Sequence, residues 1–125
     1  MRRALQFLAA FSALLLCGNQ PLSSTESRLV GKWRIPGKLA SIDLTFRADH
    51  SARMVTRWAH HEYDTHVSNG RWSAKGDRLF LDWYDNPDVV RQMRKEPTKI
   101  VWRNFDVIVL SHPKDPNQHT ANRVK

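Results

Sequence analysis

The chain of 125 residues predicts an all-β fold: a small antiparallel up-and-down meander closing into a barrel, with an N-terminal signal helix and one short helix. Two observations carry this. Apolar residues recur with a period of two in 41–47, 53–58 and 78–84, as half-buried strands require. Short clusters of turn-forming residues, Ala48 to Ser51 and Ala74 to Asp77, connect consecutive segments of this kind.

The first residues follow a different pattern. Arg2 and Arg3 precede Ala4 to Leu16, a run interrupted only by Gln6 and Ser12, which reads as a secretory signal peptide over 1–17. The run is shorter than the roughly 20 apolar residues of a membrane-spanning helix, and it lacks the polar face of an amphipathic core helix. Leu14, Leu15, Leu16, Cys17 and Gly18 resemble the lipobox of bacterial lipoproteins. Leu14 takes the apolar place and Cys17 is the lipidation candidate, although Leu16 stands where that family has a small residue. The expected location is therefore outside the cytoplasm: in the periplasm, anchored by lipid at Cys17, or secreted. Membrane contact is expected only through such an anchor. Cys17 is the one cysteine, so the fold has no internal disulfide and relies on its core.

After the signal, 18–28 reads as a polar tether, 29–112 as the barrel domain and 113–125 as a flexible tail. Arg2 and Arg3 account for two of the net eight positive charges, so the remainder is still basic. Its basic residues are interspersed with acids, and the one local cluster, Arg91, Arg94 and Lys95, reads as a solvated helix face. No nucleic-acid partner is expected.

Within the domain, Ile42, Leu44 and Phe46 alternate with polar neighbours. Past the turn, Met54, Thr56 and Trp58 continue an inward face opposite Arg53 and Arg57. His60 to Thr65 shows no apolar pattern and reads as a connection. A strand from His66 to Ser73 follows, with Trp72 inward and Gly70 marking a bulge. The Ala74 to Asp77 turn leads to Leu79, Leu81 and Trp83 on one face, the clearest hairpin in the chain. Asn86, Pro87 and Asp88 start a short helix running to about Lys95, where Pro97 forbids continuation. Ile100 and Trp102 lie on a further strand, and Val107 to Leu110, apolar on both faces, on the last. This makes six or seven strands.

Leu29, Val30, Gly31, Lys32 and Trp33, opening a hydrophobic meander, resemble the Gly-x-Trp start of lipocalin-like barrels. The spacing of Gly70, Trp72, Gly76, Leu79 and Leu81 resembles the central hairpin of the short bacterial members. The resemblance implies that Trp33 closes one barrel end beside Gly31 and that a basic side chain from a late strand, Arg103 by chain order, packs over its ring. It also implies a small apolar ligand. Trp33, Trp58, Trp72, Trp83 and Trp102 are the candidates to line its cavity, or else to fill a solid core.

The densest polar constellation is His60, His61, Glu62, Tyr63, Asp64 and His66. His60, Glu62 and His66 have the donor types of a zinc site, while a hydrated loop explains the same residues without metal. Asp82, Asp85, Asp88 and Glu96 raise a carboxylate pair for glycan hydrolysis, although Asp88 also suits a helix N-terminus. No cofactor motif is present and no cofactor is expected. Three readings follow: a non-enzymatic binding domain for a small apolar ligand, an adaptor with a filled barrel that meets an envelope protein, or a hydrolase or metal site at the histidine loop.

Overall fold

The computed structural model describes residues 21–59, 61–84 and 97–125 and, of 61–64, the backbone alone. The expected signal peptide with Cys17, the helix at 86–95 and His60 lie outside the described residues. A helix α1 (Ser24–Leu29) is followed by β1 (Gly31–Ile35), β2 (Ala40–Phe46), β3 (Ser51–Trp58), β4 (His61–Lys75), β5 (Arg78–Trp83), β6 (Thr98–Asn104), β7 (Val107–Ser111) and β8 (His119–Arg123). Each strand pairs antiparallel with its chain neighbour, and β8 returns to β1, closing the barrel. The all-β up-and-down architecture is as expected.

Four expectations change. The flexible tail 113–125 contains β8, which makes eight strands rather than six or seven. Only Ala121 of this strand is buried, so its apolar pattern is too sparse to read. Its order comes from backbone bonds to β7 on one side and β1 on the other. The polar tether 18–28 contains α1, which begins with a capping box: the Ser23 hydroxyl accepts from the Glu26 amide, and Glu26 Oε1 accepts from the Ser23 amide at 2.8 Å. Residues 61–65, expected as a connection, belong to the long strand β4. The register break lies between Arg57 and Trp58, not at Gly70, which pairs with Ala52 and Trp83 in unbroken register. Gly70 is required because a Cβ there would run into the Asp82 carbonyl of β5.

The ends of the barrel differ. At one end the turns joining β2 to β3, β4 to β5 and β6 to β7 meet α1, and there the interior is solid. Leu29, Trp33, Phe46, Leu79 and Ile108 are fully buried, with Phe46 and Trp72 at 4.9 Å between ring centroids. Six residues of helix are too few to hold alone. α1 is held by Leu29 in the core and by Ser23 and Thr25 hydroxyls donating to the Ala74 and Gly76 carbonyls, each at 2.8 Å.

Beneath this end, Trp33 Nε1 donates to the Leu29 carbonyl at 2.9 Å, and the guanidinium of Arg123 stacks 4.3 Å from the Trp33 ring centroid and 4.5 Å from that of Phe105. Arg123 donates to the carbonyls of Arg28 at 2.6 Å, Val30 at 3.2 Å and Phe105 at 3.2 Å. Its Nε lies 3.3 Å from Asp106 Oδ1, an ion pair without hydrogen-bond geometry. Gly31, at φ +135°, leaves room for it, since a Cβ would lie 3.3 Å from Nη1. The basic residue over Trp33 is therefore Arg123 and not Arg103, which is exposed on β6. Chain order pointed to Arg103 because β8 had been read as tail.

Glu26 joins α1 to two hairpins. Its Oε2 lies 2.9 Å from His50 Nε2 and accepts from the Ala74 amide at 3.2 Å. Burial pushes its pKa up, but the amides of Ser23 and Ala74, with help from the Ser23 side chain and His50, outweigh burial and hold the carboxyl below its ordinary value. A carboxyl with a lower pKa in the folded than in the unfolded state stabilises the fold above its ordinary pKa, and this contribution is lost as pH falls through the folded value.

Arg123→Met is expected to cost about 3 kcal/mol in urea unfolding, because three charge-assisted bonds to carbonyls and two ring contacts go together, whereas Arg103→Met should stay within about 0.5 kcal/mol. Equal effects would show that Arg123 does not close the barrel. Acidification from neutral to about pH 3 should lower the urea midpoint less in Glu26→Gln than in the unaltered chain, since the variant has no carboxylate to protonate at this latch.

Candidate functional site

Toward the other end, side-chain size along the inward faces leaves space. On β4, Ala74 and Trp72 lie in the solid half, and then Gly70 and Ser68 follow. On β3, Ala52 pairs with Gly70, and Met54 pairs with Ser68. Past Gly70 and Ala52, the short side chain of Ser68 beside Met54 leaves the middle of the barrel open. A cavity of about 570 Å³ results, within the roughly 300–1,000 Å³ of small-molecule sites.

Its walls are apolar: Ile35 of β1, Ile42 and Leu44 of β2, Met54 of β3, Leu81 and Trp83 of β5, and Leu110 of β7. Ser68 is the polar group set into this wall and is almost fully buried. His66, Thr98, His112, Asp115 and His119 complete the lining. His119 Nε2 lies 2.7 Å from Asp115 Oδ2. The hydrogen bond from His119, seconded by the Asn117 amide, holds the Asp115 carboxyl below the usual carboxylate range. This pair fixes the orientation of one imidazole at the cavity. Among the described residues, β5 and β6 share only two rungs, Arg78 with Lys99 and Leu79 with Thr98, so Leu81 and Trp83 line the wall beyond the last of them.

The five tryptophans separate. Trp83 lines the cavity, while Trp33 and Trp72 are buried in the core. Trp102 packs edge-on against Trp33 at 6.0 Å, with the Arg28 guanidinium 4.0 Å from its own ring centroid. Trp58, expected on an inward face, is 47% exposed. It is the last residue of β3, where the register breaks and its partners Ala40 and His61 are the first residues of β2 and β4, so neither neighbouring strand extends past it.

Of the metal candidates, His66 lines the cavity, whereas His60 and the Glu62 side chain lie outside the described residues. Among the described residues, no group of three histidine, cysteine or acidic side chains is arranged to hold a metal ion. Of the carboxylates considered for glycan chemistry, Asp82 is half-buried on β5 opposite Arg71, and Asp85, Asp88 and Glu96 lie outside the described residues.

Sequence reasoning missed His112, at the end of the span read as barrel, and Asp115 and His119, both in the segment read as tail. The alternation His119, Ala121, Arg123 was the available signal, a period of two carried by residues that are not conventionally apolar.

The arrangement can withdraw an apolar molecule from water along aliphatic walls and hold a polar end near the imidazoles. No protein-family model, curated protein or solved structure matches the chain.

Proposed function

We propose that the protein is an exported, non-enzymatic, lipocalin-like binding protein that holds a small apolar molecule in the open half of its barrel. The observation that carries this reading is the cavity of about 570 Å³, whose wall sets a continuous apolar surface from Ile35, Ile42, Leu44, Met54, Leu81, Trp83 and Leu110 beside Ser68, Thr98, Asp115 and three imidazoles. Apolar surface of that kind favours a ligand that leaves water, and Ser68 and the imidazoles supply orientation rather than a reaction. The Gly31-x-Trp33 start, with Arg123 over the tryptophan ring, supports the lipocalin-like kinship. Arg2, Arg3 and the apolar run to Leu16 support export, with Cys17 as lipid anchor or as part of a cleaved peptide. An adaptor acting only through its outer face would need no such cavity, so the hollow half favours the binding reading over the adaptor.

Titration with the apolar fluorophore N-phenyl-1-naphthylamine, read by its own emission, should give saturable binding accompanied by quenching of tryptophan emission through Trp83. Met54→Trp, which fills the cavity from β3 opposite Ser68, should abolish binding. Overpacking of this sort costs about 1–3 kcal/mol, so cooperative urea unfolding of the variant checks that it remains folded. Absence of saturable binding in the unaltered chain, for this probe and for a panel of fatty acids and sterols, would transfer the weight to the adaptor.

A further inference from the structure

We infer that the rim of the barrel formed by β1, β2 and β3 at the cavity end docks on an anionic lipid surface. Leu39 is 68% and Trp58 47% exposed, an unusual expense for two large apolar side chains in a small domain. They are neighbours: the Ala59 amide donates to the Leu39 carbonyl at 2.9 Å, and Ala40 pairs with Trp58. The same strand ends supply Ile35 and Ile42 to the cavity wall, so the apolar rim is continuous with the cavity.

Three apolar residues of this corner follow a cation in the sequence: Arg34 before Ile35, Lys38 before Leu39, Arg57 before Trp58. Lys38 is exposed, and the Arg34 and Arg57 side chains are 48% and 52% exposed. Among the described residues of 34–43 and 55–59, the one acid is Asp43, which is 2% exposed. Arg34 Nε lies 2.8 Å and Arg57 Nη1 2.7 Å from its two oxygens, and Lys32 Nζ is 3.7 Å away. One buried carboxylate thus fixes two guanidiniums on the outer wall without cancelling their combined charge.

The pairing of exposed apolar groups with cations selects the partner. A soluble polyanion would satisfy Arg34, Lys38 and Arg57 but leave Leu39 and Trp58 in water. An uncharged apolar partner would leave the cations without counterions. A bilayer with acidic headgroups accepts both at once, since tryptophan settles at the headgroup level and each cation near such a surface strengthens binding roughly fivefold. The inference rests on the rim and holds whether or not the cavity carries a ligand.

Among the described residues, α1 and the eight strands of the closed barrel lie within 24–123, so residues 21–125 are the unit to test, free of the apolar N-terminal run. Co-sedimentation with phosphatidylcholine vesicles containing about one-third phosphatidylglycerol should exceed that with pure phosphatidylcholine by at least tenfold. Leu39→Ser and Lys38→Glu should each weaken binding about fivefold or more, while Arg78→Glu at the opposite end, with the same charge change as Lys38→Glu, should leave it unchanged. Three results would each overturn the inference: no preference for the acidic vesicles, an equal loss in Arg78→Glu, or binding to soluble polyphosphate without binding to vesicles. N-phenyl-1-naphthylamine binding by the Leu39→Ser variant separates this outcome from failure of the cavity reading.

Discussion

Arg123 stands where the last strand meets the first, and its surroundings show what closing a small barrel demands. A meander of seven strands is an open sheet with two exposed edges, each a row of unpaired amides and carbonyls. β8 supplies the missing partner for both, yet it pairs with β1 at Trp33 with Arg123 and at Arg34 with Asn122, followed by one further bond from the Val124 amide to the Lys32 carbonyl. So short a seam needs side-chain support. The guanidinium provides it by reaching carbonyls on α1, on the α1–β1 connection and on the β6–β7 turn while stacking between two aromatic rings. Planar geometry and five donors allow one side chain to meet all of these, which a lysine cannot do.

Once closed, the barrel divides by side-chain volume. The helix-capped half is filled by Trp33, Phe46, Trp72, Leu79 and Ile108, and dense packing there fixes the strand register. The other half has the same strand number and therefore the same diameter, set by backbone geometry rather than by its contents. There the inward face of β4 presents Ser68, which cannot span it, so the hollow follows from a rigid wall meeting a small residue. The open space and the densest packing thus lie at different ends, while Leu44, Leu81, Trp83 and Leu110 both line the cavity and belong to the buried core.

The legibility of these features in the sequence follows the same division. β2, β3 and β5 were readable because one face of each is apolar and the other is not, and Gly31 and Trp33 were readable as a closing pair. β8 was not, because its inward residues are His119, Ala121 and Arg123, of which Ala121 alone belongs to the buried core. That single misreading removed two cavity residues, Asp115 and His119, and the true partner of Trp33 together. α1 escaped notice although Ser23 and Glu26 have capping-box spacing, since six residues carry too little periodicity to mark a helix. Trp58 shows the limit of alternation itself: parity along a strand assigns a side, but burial also requires that neighbours extend past the residue, and at the rim they do not.

The clamp also has a bearing on the order of events in folding. Its bonds to Arg28 and Val30 join residues separated by 95 and 93 positions, while the connections between consecutive strands are far shorter, the longest being 84–97 between β5 and β6. Long loops are costly to close and form late. The meander therefore assembles from local hairpins, and the two edges stay open until the final strand is available. A chain emerging from a ribosome cannot close this barrel before β8 is made, because Arg123 follows the seven other strands in the chain. Topology alone delays closure until that strand is available.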